Sequence, residues 1–147
     1  ASGNSSTVSG GYQNTANGGR STVSGGQNNT ASFTNSTVGG GRSNLASGCY
    51  STVSGGTGNT ASSTYSTISG GIQNTASSNY SAILGGTTNN TSTFACAMIV
   101  GSNITATRVC STFVNNLNIM NIPTAAAGLP SKSLYYDTVT CIVKIVP

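Results

Sequence analysis

STVSGG at residues 51–56, followed by NTAS at residues 59–62, is one copy of a unit that recurs every fifteen residues along this chain. A fixed period of this length is the signature of a solenoid, in which each repeat forms one coil that stacks on the next. The sequence therefore predicts a solenoid of seven to eight coils over residues 1–115 and a different segment over residues 116–147. The first half of the unit also begins at Ser6, Ser21, Ser36 and Ser66, and weaker copies begin at Ser81, Cys96 and Ser111.

One position of the repeat is apolar in every copy, and β-branched residues fill its first six copies. Such side chains suit a pleated strand. Two glycines follow this position and fit a corner, because a positive φ costs glycine little. We therefore predict an all-β fold, a parallel β-solenoid. Its coil core is predicted to contain Val8, Val23, Val38, Val53, Ile68, Ile83, Met98 and Phe113.

Asparagine also recurs at one position of the repeat, from Asn14 to Asn89, and alanine recurs two residues later, beginning with Ala16. We expect the asparagines to hydrogen-bond to one another along the stack, as amide ladders do in cross-β assemblies. The small alanine and serine side chains indicate a narrow interior.

The residues that flank the core position are predicted to face outward, because side chains alternate along a strand. They are threonine and serine in the early copies but apolar in the late ones, and residues 95–100 are apolar on both faces. A narrow coil buries only one face, so another surface must cover the outer one, and a symmetric copy of the chain is the simplest candidate. The predicted subunit interface contains Leu84, Ile99 and Val114.

The segment 116–147 is more apolar than the repeats and carries all three prolines. Residues 133–136 and 139–146 are predicted to form two strands around a turn at Asp137 and Thr138. Because solenoids need atypical ends to shield the last coil, we expect this segment to cap the solenoid and to be the place where chains join.

The composition excludes several classes of function. The chain has no histidine, no glutamate and one aspartate, so the usual groups for acid–base catalysis, a catalytic triad or glycoside hydrolysis are lacking. We predict no enzymatic activity, catalytic residue, cofactor or metal site, although a serine–lysine pair with Lys132 or Lys144 is left open. The net charge of +4 is spread along the chain, which argues against nucleic-acid binding. No run of 18 apolar residues exists, so membrane insertion is not expected.

The four cysteines, Cys49, Cys96, Cys110 and Cys141, lack the spacing of a zinc site. With a strict period, Cys96 and Cys110 are offset by one position on neighbouring coils, which predicts opposite faces and opposes a disulfide. Two interpretations stay open. The cysteines are small apolar residues in a reducing compartment, or Cys49 or Cys141 cross-links neighbouring chains.

Tyr50, Tyr65 and Tyr80 occupy one position on three successive coils. They are predicted to form a stacked ladder that stabilises the outer surface. The alternative is a flat aromatic platform that binds the sugar rings of a glycan.

The run from Asn59 to Gly71 resembles the head repeats of trimeric autotransporter adhesins, the YadA-like or haemagglutinin-type repeat. The STVSGG repeats are also similar to those of phage and giant-virus fibres, and residues 118–146 resemble the C-terminal end of such fibres. The resemblance implies a left-handed parallel β-roll, a homotrimer and an attachment role. Two features depart from the family: the early repeats keep one large aliphatic position where the family usually has two, and a fifteen-residue coil also fits a three-sided helix. This chain also contains neither the stalk nor the membrane barrel of the autotransporters, which favours a virion fibre.

These observations predict a structural fibre or spike protein at a virion surface or in an extracellular location. Its expected partners are further copies of itself, other virion proteins and a glycan or protein receptor on the host. The first alternative is the head of a bacterial trimeric adhesin. The second is an ice-binding β-solenoid, because the threonine column that begins at Thr7 resembles the hydroxyl and methyl arrays of insect ice-binding proteins.

Overall fold

The computed structural model of the protein describes residues 1–116, 134–137 and 142–145. The described chain is all-β, and the predicted parallel β-solenoid is confirmed: about seven coils of about fifteen residues stack on one another. The chain divides into two compact units, Ala1–Asn116 and Leu117–Pro147. The first unit is the solenoid.

The largest sheet of the solenoid has eight parallel strands. The first six strands pair in a fifteen-residue register, so that Val8 lies beside Val23 and Val23 beside Val38. In sheet order the strands are β1 (Thr7–Val8), β3 (Thr22–Val23), β5 (Thr37–Val38), β7 (Thr52–Val53), β9 (Thr67–Ile68), β11 (Ala82–Ile83), β12 (Met98–Val100) and β13 (Thr112–Val114).

The second sheet of the solenoid has five parallel strands in the same register. They are β2 (Thr15–Ala16), β4 (Thr30–Ala31), β6 (Leu45–Ala46), β8 (Thr60–Ala61) and β10 (Thr75–Ala76). A third row of parallel bridges connects successive coils between the two sheets. It runs through Tyr12, Gln27, Arg42, Thr57, Ile72 and Thr87.

The second unit contains an antiparallel pair of strands, β14 (Leu134–Asp137) and β15 (Ile142–Ile145). Two strands were predicted in this region, but Asp137 lies in a strand and pairs with Ile142. The rest of the predicted capping and chain-joining segment, including Cys141, Lys132 and the proposed turn at Thr138, lies outside the described residues.

The core of the solenoid is a line of one large apolar side chain per coil, packed against the alanines of the second sheet. Val23, Val38, Val53, Ile68 and Ile83 are fully buried, whereas Val8 in the first coil and Phe113 in the last are half-buried. Full burial of such a side chain stabilises the fold by about 1.5–3 kcal/mol. Each coil therefore adds a similar increment, as expected for a repeat protein.

Buried asparagines hold successive coils in register. The side-chain oxygen of Asn59 accepts the backbone N–H of Asn74 at 3.0 Å, and its Nδ2 donates to the carbonyls of Gly55 and Gly71 at 3.0 and 2.9 Å. The same pattern repeats at the other members of the column, Asn14, Asn29, Asn44, Asn74 and Asn89.

The expected amide ladder therefore takes a different form: each side-chain oxygen accepts the backbone N–H of the equivalent residue in the next coil. That residue is an asparagine up to Asn89, whose own oxygen accepts the N–H of Ile104. A direct bond between two side-chain amides joins Asn74 to Asn59 at 3.1 Å. Backbone partners satisfy the buried amide on both of its ends, which a buried polar group requires.

The fifteen-residue register of the large sheet changes after Ile83. Ile83 pairs with Ile99, sixteen residues later, and Ile99 pairs with Phe113, fourteen residues later. Outside the large sheet the period stays at fifteen, because Thr75 is bridged to Asn90 and Asn90 to Thr105. The corner between Thr91 and Ala97, which leads from this row to the large sheet, therefore contains one extra residue.

This shift overturns two predictions. Met98, predicted to lie in the core, is 42% exposed and pairs with Ala82 and Thr112. Ile99, predicted to lie at a subunit interface, is fully buried and takes the core position. The physical reason is that one extra residue in a corner moves every following side chain of the strand to the other face.

Candidate functional site

Four surface features carry the chemistry that this solenoid can offer: an apolar face, a tyrosine ladder, two threonine columns and a cysteine pair. The apolar face lies at the C-terminal end of the large sheet and consists of Leu84, Met98, Val100 and Val114. These side chains are 52%, 42%, 40% and 37% exposed.

Register brings the residues of the apolar face together. Val100 pairs with Val114 across neighbouring strands, and the N–H of Leu84 donates to the carbonyl of Ile99 at 3.0 Å, which places Leu84 beside Val100 on the next coil. In the early coils the equivalent residues are Ser9, Ser24, Gly39, Ser54 and Ser69. The predicted interface residues Leu84 and Val114 are thus outward-facing, but Val100 replaces Ile99 between them.

A column of left-handed backbone residues runs along one corner of the solenoid. Each member has a φ between 48° and 58° and lies one residue before a serine column, buried in the middle coils and half-buried at Ser6 and Ser111, or before Ala97. Its side chain projects away from the core, because the next residue points inward. The members are Ser5, Arg20, Asn35, Tyr50, Tyr65, Tyr80, Cys96 and Cys110.

The three tyrosines of this column form the tyrosine ladder. The ring centroids of Tyr50 and Tyr65 are 5.0 Å apart and those of Tyr65 and Tyr80 are 5.2 Å apart, with 10° between the planes in each pair. The rings are therefore stacked, and contacts between aromatic rings are favourable. Stacking turns the inner ring faces of the ladder toward one another.

A sugar ring packs against the open face of an aromatic side chain. The stacked arrangement leaves two such faces uncovered by the other tyrosines, one on Tyr50 and one on Tyr80. The ladder is therefore better suited to hydrogen-bonding with its row of hydroxyl groups than to serving as a broad flat platform.

The threonine column on the large sheet, which begins at Thr7, is in strict register over five coils. Thr7 lies beside Thr22, and the column continues through Thr37, Thr52 and Thr67. A second column lies on the outer face of the other sheet and consists of Thr15, Thr30, Leu45, Thr60 and Thr75. Sequence reasoning missed the second column, although the threonine of the repeated NTAS segment carried the signal.

The prediction that Cys96 and Cys110 face opposite ways is wrong. The extra residue before Ala97 brings both cysteines into the left-handed column, on successive coils, and both are exposed. The hydrogen bond between their thiols is the main cause that raises the pKa of Cys96, and desolvation and the charge of Cys110 add to it. Cys49 lies on another position of the repeat and is half-buried.

Within the described residues there is no enclosed pocket and no cluster of three or more metal-binding side chains. The same part of the chain has no helix of the length and hydropathy that a bilayer span requires. No family model matches the chain, and no curated protein is significantly similar to it.

Proposed function

We propose that this chain is a non-enzymatic structural protein, a homotrimeric segment of a virion fibre or spike that supports attachment to a host. The observation that carries the proposal is the apolar face of Leu84, Met98, Val100 and Val114 at one end of an otherwise hydroxyl-covered sheet. The head of a bacterial trimeric adhesin, which the repeats resemble, is the alternative setting.

The apolar face supports self-association for a physical reason. The coil core holds one large side chain per coil and is already filled by Ile83 and Ile99, so the outer side chains cannot turn inward. Contiguous apolar groups on an outer surface indicate a protein partner. A second and third copy of the chain present the same face in the same register, and a cyclic arrangement buries all of them equally.

The mass of the native particle tests this proposal. We expect a trimer for the full chain, and a monomer for the variant Leu84→Ser/Val100→Ser/Val114→Ser, which gives the late coils the serine of the early ones. Circular dichroism must show the same β content in both. A triple Tyr→Ser variant at Tyr50, Tyr65 and Tyr80 serves as the control and keeps the trimer. A monomeric parent chain at micromolar concentration contradicts the proposal.

Attachment is tested separately from assembly. The trimer is applied to host cells and to a glycan array, and the tyrosine variant is compared with it. Loss of binding in a variant that remains trimeric assigns receptor contact to the tyrosine ladder. Unchanged binding assigns the contact to another surface, and no binding by the parent trimer contradicts the attachment role.

The threonine columns favour a second candidate, ice binding. Hydroxyl and methyl groups repeat at the coil spacing of about 4.8 Å along the sheet, which is a regular lattice for ordered water. Thermal hysteresis is the test, with Thr37→Tyr placed in the middle of the column that begins at Thr7 and Thr60→Tyr as the matched change on the other sheet. Ice binding by the large sheet requires activity that Thr37→Tyr abolishes and Thr60→Tyr retains. Absence of hysteresis in the parent chain at high concentration removes this candidate.

A further inference from the structure

The irregular corner between Thr91 and Ala97 places two cysteines side by side. A strict fifteen-residue period would put Cys96 beside Ser111, but the extra residue puts Ala97 there instead. Cys96 and Cys110 are therefore equivalent residues of the last two coils, directly before Ala97 and Ser111. Both have left-handed backbone, with φ values of 56° and 48°.

Equivalent side chains on successive coils of this column are close together. The rings of Tyr50 and Tyr65 are 5.0 Å apart and those of Tyr65 and Tyr80 are 5.2 Å apart, and neighbouring strands in a sheet are about 4.8 Å apart. Disulfides join residues whose Cα atoms are about 4.4–6.8 Å apart and whose Cβ atoms point toward a common space. The matching φ values of Cys96 and Cys110 give their side chains the same direction. The raised pKa of Cys96, of which Cys110 is the main cause, agrees with this proximity.

We propose that Cys96 and Cys110 form an intrachain disulfide that joins the last two coils of the solenoid when the protein enters an oxidising environment. A thiolate of one cysteine attacks a low-molecular-weight disulfide such as oxidised glutathione and releases one molecule of reduced glutathione. The second cysteine attacks the mixed disulfide, releases another molecule of reduced glutathione and completes the S–S bond. The two cysteine protons end on the two glutathione thiols, and two electrons pass from the protein to glutathione.

The proposed bond would join two coils that fewer side-chain hydrogen bonds stabilise. The asparagine column ends at Asn89, because Ile104 takes the equivalent place in the next coil. Ala97 replaces the serine whose hydroxyl donates to the corner backbone in all but one of the earlier coils, and Phe113 is only half-buried. The last two coils therefore have fewer hydrogen bonds between side chains and backbone than the earlier coils. A covalent link there opposes fraying, which begins at the ends of a repeat array.

The test uses the full chain with the other two cysteines removed, Cys49→Ser/Cys141→Ser, so that only Cys96 and Cys110 remain. After equilibration with oxidised glutathione, we expect free thiols to fall from two to zero and the mass to fall by two hydrogen atoms. Trypsin cleaves between the two cysteines after Arg108, so their peptides must remain joined until a reductant is added. The oxidised form should melt roughly 5–15 °C above the reduced form.

The matched control adds Cys96→Ser, and its melting temperature should not respond to the oxidant. Two unreacted thiols in the folded protein, a stable glutathione adduct, or a bond formed only between chains would each overturn the proposal. A melting temperature that falls on oxidation overturns the stabilising role. The outcome does not depend on the oligomeric state, so failure here is distinct from failure of the trimer.

Discussion

Ile83 lies beside Ile99 in neighbouring strands of the large sheet, sixteen residues apart along the chain, and both are fully buried. The residue fifteen positions after Ile83 is Met98, and it faces outward. The core is therefore continuous through the irregular coil because the strand moves by one residue, and the same movement creates the apolar face and the cysteine pair.

We expect Ile99→Ala to destabilise the solenoid by about 2–5 kcal/mol, because it leaves a cavity in a filled core. Met98→Ala removes a side chain of similar size from the outer face and should change the stability of the monomer by less than about 1 kcal/mol. Urea unfolding followed by circular dichroism measures both, in the Leu84→Ser/Val100→Ser/Val114→Ser background to separate folding from assembly. If Met98→Ala lowers the free energy of unfolding more than Ile99→Ala does, Met98 occupies the core, as the strict fifteen-residue period predicts.

The sequence was sufficient to predict the fold because the repeat is explicit and the apolar position is surrounded by polar ones in the first five copies. It failed at residues 97–100 for a physical reason. Met98, Ile99 and Val100 are all apolar, so no contrast between faces specifies which of them points inward, and register is weakly determined by such a pattern. The step from Ile83 to Ile99 is sixteen residues and the step from Ile99 to Phe113 is fourteen. Because the two steps add up to two full repeats, Phe113 again fits the fifteen-residue period, and the sequence pattern does not reveal the shift.

The candidate surfaces were predictable to different degrees. The alignment of Tyr50, Tyr65 and Tyr80 follows from the period alone, whereas the mutual covering of their faces depends on ring orientation. The proximity of Cys96 and Cys110 was not predictable without the position of the extra residue.

The asparagine column gives a sharp test of what holds the coils together. Asn59→Ala leaves the N–H of Asn74 and the carbonyl of Gly55 without their hydrogen-bond partner. We therefore expect it to lower the free energy of unfolding by about 3 kcal/mol. Asn59→Asp keeps the acceptor but loses both donors and buries a carboxylate, so it should be at least as damaging.

The control for the asparagine variants is Asn17→Ala, an exposed position, which should change stability by less than about 0.5 kcal/mol. Chemical denaturation of the three variants measures their free energies of unfolding and tests these expectations. Similar stabilities for Asn59→Ala and Asn17→Ala would mean that the side-chain bonds to the next coil contribute little.

The glycine pair at residues 55 and 56 has one demanding member and one tolerant member. Gly56 has a φ of 88°, and an added Cβ would overlap the carbonyl oxygen of Gly71 and lie 2.6 Å from Asn59 Nδ2. Gly55 has nothing within 4 Å of an added Cβ. We therefore expect Gly56→Ala to lower the free energy of unfolding by about 3 kcal/mol or more, because it strains the backbone and displaces the next coil. Gly55→Ala should change the free energy of unfolding by less than about 1 kcal/mol. Thermal unfolding of the two alanine variants is the measurement, and equal melting temperatures would contradict this account of the corner.

Two members of the buried serine column differ in their hydrogen bonding, although both are fully buried. Ser51 Oγ donates to the carbonyl of Gly48 at 2.7 Å and accepts its N–H at 3.1 Å, whereas Ser21 Oγ has no hydrogen-bond partner among the described residues. An unpaired buried hydroxyl lowers stability, and its removal is neutral or favourable. We therefore expect Ser51→Ala to lower the free energy of unfolding by about 1 kcal/mol and Ser21→Ala to leave it unchanged or raise it slightly. Urea unfolding of the two variants measures both changes, provided that the urea dependence of the free energy of unfolding is the same in each. If Ser21→Ala is as destabilising as Ser51→Ala, the hydroxyl of Ser21 is hydrogen-bonded in solution, as that of Ser51 is.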